Sequence, residues 1–219
     1  MFQLDDVSPL EARYNIAPSQ PVASVVQDIE SSRRRLKTFR WGLIPPWAKD
    51  PALGSRLINA RSETVAEKSA FLEAFKTRRC LIPADGFFEW QKQAPRKQPY
   101  FIRLRDAEAL ALAGLWQSWR APDRTTIESC TILTTAANDL MQPIHNRMPV
   151  IVDPADYQLW LDTAAAKPQL LRKLFTPFPA DKMTAYPVST VVNNPRNNTP
   201  QCLQPIESDT AADNRLFHD

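Results

Sequence analysis

Apolar and polar residues alternate with a period of two over much of this chain, in runs too short for long helices. Residues 22 to 29 read as a strand. Phe39, Trp41 and Leu43 alternate with Arg40 and Gly42, a half-buried strand that Pro45-Pro46-Trp47 interrupts. Further short strands are predicted at about 79–84, 87–91, 99–104, 109–116 and 126–134, with another near 184–192. Two stretches switch to the helical period. Thr64 with Glu67 three residues on is a capping-box signal, and Phe71, Leu72 and Phe75 then form one apolar face. Asp153-Pro154 is an N-cap followed by a proline suited to the first turn, ahead of the apolar face of Tyr157, Trp160 and Leu161. A short helix is predicted over 167–174, and about 207–219 reads as a polar tail. Many short strands with a few helices predict an α+β fold: a mixed, largely antiparallel, curved or barrel-like sheet with flanking helices, in a single domain over residues 1–219.

Composition narrows the function. At 43% hydrophobic residues the 219-residue chain can bury a substantial core, and a net charge of +3 permits a nucleic-acid partner without demanding one. The basic residues cluster at Arg33-Arg34-Arg35, at Lys76, Arg78 and Arg79, and at Arg96-Lys97; the first and last read as solvated turns. Cys80, Cys130 and Cys202 lie far apart without CxxC spacing, which argues against a zinc site or a disulfide framework. Cys80 and Cys130 sit in apolar runs, as reduced core residues of a cytoplasmic protein do. No apolar run reaches transmembrane length and no signal-peptide pattern opens the chain, so no membrane partner is expected. With 20 prolines against four glycines, there is no phosphate loop of the Walker or Rossmann type, and neither metal nor cofactor is expected.

Three blocks carry candidate chemistry. Pro83-Ala84-Asp85-Gly86-Phe87-Phe88-Glu89-Trp90 sets a carboxylate among aromatics, a setting that favours proton transfer. Ile58-Asn59-Ala60-Arg61-Ser62-Glu63 places Asn59 and Arg61 on one face of an extended segment. Ile144-His145-Asn146-Arg147-Met148-Pro149 does the same for His145 and Arg147. Arginine holds phosphate bidentately, and an exposed Trp47 on a proline loop can stack on a nucleobase. Each residue also has a plainer reading: Glu89 as an edge carboxylate facing water, His145 as a core histidine, Arg61 in an ion pair with Glu63, and Trp41 as core packing.

Together with Tyr14-Asn15-Ile16-Ala17-Pro18, Trp41-Gly42-Leu43-Ile44-Pro45 and Arg79-Cys80-Leu81-Ile82, these blocks resemble, in order, the SOS response-associated peptidase family of abasic-site processing proteins; the resemblance runs from about Arg13 to Ile206. It implies binding of abasic sites in single-stranded DNA, covalent linkage to DNA, lyase activity and removal of the protein's own initiator methionine. In the family, a cysteine at position two condenses its α-amine with the aldehyde of the ring-opened deoxyribose, and its thiol closes a thiazolidine. By motif, the resemblance makes Glu89 the acid–base group, gives His145 the Schiff-base stage and has Asn59 position the terminal amine. Arg61 and Arg147 would hold phosphates, Trp47 would stack near the kinked strand, and Thr134 would lie near the site.

The chain departs from the family where it opens. Phe2 stands where the family's Met-Cys-Gly-Arg-Phe start has cysteine, so no residue of this chain is expected to be the nucleophile. Either the start is assigned too late or the sequence is a fragment, or else it is a variant without that cysteine. Asn146 also stands where some members carry aspartate. The expected protein is a monomer. Two alternatives remain open: a non-covalent module for single-stranded DNA, and a thiol peptidase.

Overall fold

A computed structural model describes residues 1–4, 9–28, 30–107, 109–164 and 168–206; the polar tail lies outside them. Ten strands and three short α-helices follow in chain order: β1 (Pro21–Gln27), β2 (Arg34–Trp41), β3 (Asn59–Arg61), α1 (Leu72–Thr77), β4 (Arg79–Ala84), β5 (Phe87–Gln93), β6 (Arg96–Leu104), β7 (Leu110–Arg120), β8 (Thr126–Ala136), β9 (Arg147–Pro149), α2 (Tyr157–Leu161), α3 (Pro168–Leu171) and β10 (Met183–Pro187).

Seven strands form the larger sheet. Its antiparallel path β2-β1-β4-β7-β8 curls until β2 meets β8 in parallel, Arg40 opposite Ser129 and Trp41 opposite Cys130. This is the mixed, largely antiparallel, barrel-like sheet expected from the pattern. β8 is the long shared strand. β3 runs parallel to it over Ile132–Thr134, and β9 runs antiparallel over Thr134–Ala136. A smaller antiparallel sheet has the order β10-β6-β5 and leaves β5 at its edge.

The two-residue period sorts side chains to two faces of the larger sheet. Val25, Leu81, Ala111, Ala113, Leu115 and Leu133 face one way and pack with Phe75, Tyr157, Trp160 and Leu171 from the helices. Their neighbours Val26, Ile82, Leu112 and Ile132 face the other way, against Ile102 and Met183 of the small sheet. Strands buried on both faces read as near-continuous apolar runs, as β4 and β7 do.

Local signals succeed and fail for identifiable reasons. Asp153 caps as predicted, accepting from the Ala155 amide with Pro154 in the first turn of a 3-10 segment that leads into α2. The Thr64–Glu67 signal does not start a helix. Thr64 closes turns to the amides of Glu67 and Lys68, and α1 begins only at Leu72, from Phe71 without a side-chain cap. β2 starts earlier than predicted and ends at Trp41, where Gly42 takes φ +129° and Leu43 turns off the ladder. Arg34 and Arg35 belong to that strand and not to a solvated turn: Arg34 donates to the Phe2 carbonyl, and Arg35 pairs with Asp28. β10 stops at Pro187, and a Ser189-capped 3-10 turn follows. Gly86 joins β4 to β5 at a point where a Cβ would lie 2.4 Å from the Ile102 carbonyl oxygen and from the Phe101 ring, so that turn admits no side chain. Among the described residues no helix is long and apolar enough to cross a membrane.

Candidate functional site

The C-terminal half of β8, flanked by β3 and β9, assembles the first part of the site. Ala60 is buried and anchors β3, which leaves Asn59 and Arg61 exposed on one face. Arg61 stands opposite Thr134, and Thr134 stands opposite Pro149 at the end of β9. Arg147 opens β9, and its guanidinium is already engaged. It meets Glu63 in a two-pronged pair at 2.6 and 2.9 Å and reaches the Thr134 carbonyl at 2.5 Å and its hydroxyl at 3.2 Å. That hydrogen bond from Arg147 holds the Glu63 carboxyl below its usual range, against the opposing pull of burial. The plainer reading of Arg61 therefore fails, because Glu63 pairs with Arg147. Among the described residues Arg61 has no side-chain hydrogen bond or ion pair, so of the two candidate arginines it is the one with an unengaged guanidinium.

The second part straddles the two sheets. On β5, Phe88 and Trp90 pack with Phe101 in a separate cluster, and the Trp90 indole donates to Asn193 at 2.8 Å. Glu89 lies on the opposite face, with Phe87, which packs toward the larger sheet. The carboxylate thus points between the sheets; its Oε1 accepts the Trp90 amide at 3.0 Å, and 26% of the side chain is exposed. Oε2 lies 3.9 Å from His145 Nδ1, too long for a hydrogen bond but close enough for one substrate atom to bridge. His145 is not a core histidine: 39% of its side chain is exposed. Its Nδ1 lies 3.1 Å from the Arg147 amide and 3.3 Å from the Arg147 carbonyl oxygen, so it accepts from the first when unprotonated and donates to the second when it carries the proton.

The remaining candidates are less closely tied to this group. Trp47 is 57% exposed on the turn after β2, and the buried Trp119 indole fixes that turn by donating to the Ala48 carbonyl. Trp41 is partly buried and donates to the Ile58 carbonyl, beside Asn59. Gln91, two residues past Glu89 on the same strand face, donates to the Pro143 carbonyl at 2.9 Å. Its spacing from Glu89 was the available signal, and sequence reasoning gave it no role. A depression of about 150 Å³ lined by Ile151, Asp153, Lys173 and Phe178 contains none of the candidate residues.

The cysteines are buried and free. Burial pushes the Cys80 thiol well above its ordinary range, with the nearby Cys130 adding to the effect, and burial takes Cys130 up to about 12. Reactive thiols are exposed and acidic, so neither of these is built as a nucleophile. Among the described residues no group of three or more His, Cys, Asp and Glu side chains is placed to hold a metal ion. Phe2 stacks on Tyr157 with centroids 5.4 Å apart and serves as an apolar anchor.

Known proteins share both the sequence and this architecture. "Abasic site processing protein YoqW" of Bacillus subtilis is 42% identical over 207 residues, covering 93% of this chain and 92% of the relative. "Abasic site processing protein HMCES" of Xenopus tropicalis is 36% identical over 230 residues, covering 92% of this chain and 68% of the relative. A crystal structure of a Bacteroides thetaiotaomicron protein superposes with a TM-score of 0.77 at 28% identity, covering 86% of this chain and 82% of that one. A Bordetella bronchiseptica protein gives 0.72 at 31% identity, with 83% and 90% covered. With the profile of the SOS response associated peptidase (SRAP) family matching residues 2–195, the chain belongs to that family.

Proposed function

We propose that this protein binds and processes abasic sites in single-stranded DNA, with Glu89 and His145 as its proton-transfer pair. The observation that carries this reading is the 3.9 Å separation of Glu89 and His145 across the two sheets, on a molecule that also presents an unpaired Arg61. An abasic deoxyribose is mostly a closed hemiacetal. Opening it breaks the C1′–O4′ bond, takes a proton from the C1′ hydroxyl and gives one to O4′. An amine then adds to the aldehyde carbon, and the carbinolamine loses its hydroxyl as water to leave an imine. Each step needs one group that gives a proton and one that accepts it, within reach of a single carbon. Glu89 and His145 supply these roles, and Asn59 orients the amine, here the α-amine of Met1, which can form the imine but has no thiol beside it to close the family's thiazolidine.

Arg61 holds a phosphate beside the lesion. Arg147 acts with Thr134 and Glu63, presenting a phosphate contact only where Glu63 yields part of its fork. Trp47 offers an exposed face on which a base can stack. The buried, protonated thiols disfavour a thiol peptidase, and a purely non-covalent module remains the second reading.

Two assays on the 219-residue chain decide among these. One compares its affinity for single-stranded DNA with and without one abasic site. The other treats the abasic complex with borohydride, which reduces an imine to a stable amine, and runs a denaturing gel. Tighter binding to the abasic strand and a trapped band are expected. Tighter binding without a band leaves the non-covalent module, and equal affinities overturn the proposal. Arg61→Ala is expected to weaken binding to abasic and intact strands alike and to flatten the slope of log affinity against log salt by about 0.7, the share of one phosphate on a single strand. An unchanged slope removes Arg61 from the interface.

A further inference from the structure

Glu89 and His145 belong to different parts of the molecule. Glu89 rides on β5, the edge strand of the small sheet, whose ladder partner among the described residues is β6 alone. His145 ends a loop that leads into β9 of the larger sheet. The loop is internally braced: Asn138 accepts from the Met141 and Gln142 amides, Met141 from the Ile144 and His145 amides, and Asn146 from the Ala137 amide. Nothing in either ladder sets the distance between the two groups. Among the described residues, one side-chain hydrogen bond joins β5 to this loop, from Gln91 Nε2 to the Pro143 carbonyl at 2.9 Å.

We infer that Gln91 is a positioning residue that sets the gap between Glu89 and His145; the inference rests on the reading of those two as the proton-transfer pair. Gln91 is placed for it by the strand period, two residues from Glu89 on the same face, and Pro143 lies two residues before His145. Both ends of its amide are engaged. Oε1 accepts from Gln93, and Nε2 meets a carbonyl that only a donor can satisfy, so the side chain has one orientation. On the reverse face of the same strand, the bond from Trp90 to Asn193 keeps β5 from rolling. The Gln91 bond is exposed, and such a bond adds little to stability. Its value is geometric, because misplacement of a reacting group by about 1 Å costs on the order of 100-fold in rate.

The test uses the full chain with Gln91→Leu, which keeps the bulk, and Gln91→Glu, which keeps an acceptor but loses the donor. Four quantities are measured: affinity for abasic single-stranded DNA, thermal midpoint, rate of borohydride-trappable product, and the NMR resonance of the His145 ring proton. Both variants are expected to bind as wild type and melt as wild type while forming product roughly 10- to 100-fold more slowly. In a His145→Ala background, Gln91→Leu is expected to cost nothing further, since the residue acts through the pair. An unchanged rate, or a loss of equal size in the His145→Ala background, overturns the inference. Absence of trappable product from wild type would instead refute the proton-transfer reading, and the ring resonance then decides on Gln91. Glu89→Gln should move that resonance in wild type and move it much less beside Gln91→Leu; equal movements in the two backgrounds overturn the positioning role.

Discussion

Glu89→Gln is expected to slow formation of trappable product at an abasic site by roughly 100- to 10,000-fold, the usual contribution of a positioned acid–base group, with little change in DNA affinity. The substitution is nearly isosteric. A glutamine oxygen still accepts the Trp90 amide, so the local backbone keeps its bond. What disappears is a carboxyl able to give and take a proton opposite His145 across 3.9 Å. Strand β5 retains its packing through Phe87 on one face and Phe88 and Trp90 on the other, so a thermal melt should superpose on that of wild type. Single-turnover trapping with borohydride measures the effect. A rate within threefold of wild type would show that the carboxylate moves no proton in the slow step, and would leave His145 to do so alone.

The largest stability effect is expected at Arg79, which is not among the residues proposed to meet DNA. Arg79 is only 2% exposed, and its guanidinium is spent on backbone carbonyls. Nε donates to Trp160 at 2.6 Å, one terminal nitrogen to Phe75 at 2.8 Å and Lys76 at 3.3 Å, and the other to Asp162 at 2.7 Å. These carbonyls end α1 and α2, where the last turn of a helix has no amides left to pair with. One side chain therefore closes two helix ends and lays its positive charge on the negative poles of both. The position has a cost: burial pulls the guanidinium down to about 10, with the Asp162 carboxylate opposing. Arg79→Met keeps much of the volume, and the guanidinium's contact with the Trp160 ring is lost along with its donors. Each stranded carbonyl costs about 1–3 kcal/mol. Some relax toward solvent, so a loss of roughly 3–5 kcal/mol is expected, or about 10 °C in thermal midpoint for a domain of this size. Arg79→Lys should recover only part, because an ammonium lacks the fork. A melt of Arg79→Met within 2 °C of wild type would refute this account.

What could be read from the chain follows from how local each signal is. Period-two alternation is local, so β4 through β8 were legible to within a few residues. Asp153 and Pro154 act on their own turn, and that start was legible too. The Thr64–Glu67 pattern is equally local, but Thr64 spends its carbonyl on a turn, and the tertiary contacts of Phe71 and Phe75 set where the helix begins. Arg79 read only as one member of a basic cluster, because nothing nearby in sequence announces that two helix ends converge on it. The parallel closure of β2 on β8 joins residues about ninety positions apart and has no local trace.

The same limit divides the candidate site. The blocks around Asn59, Glu89 and His145 were evident, and so was the exposed tryptophan. Which arginine is free was not. Glu63 is close to Arg61 in sequence but bonds Arg147 across the sheet, a choice fixed by β3 and β9 lying on opposite edges of β8. Glu89 could face water or groove until the small sheet was seen to pack its Phe87 face toward the larger one.

β8 accepts neighbours along both edges: β7 then β9 on one, β2 then β3 on the other. Its amides should be among the last to exchange with deuterium, because releasing them requires several strands to part. The outward amides of β5 open with the loss of a single edge and should exchange sooner. Thr134, one of the residues proposed to meet DNA, sits on the slow-opening β8, and Arg61 and Arg147 are tied to it through the short strands β3 and β9. Glu89, the carboxylate proposed to work on the sugar, sits on β5, whose outer edge opens sooner. Thermal motion of that edge can change the 3.9 Å gap between Glu89 and His145 while β8 and the strands beside it keep their register.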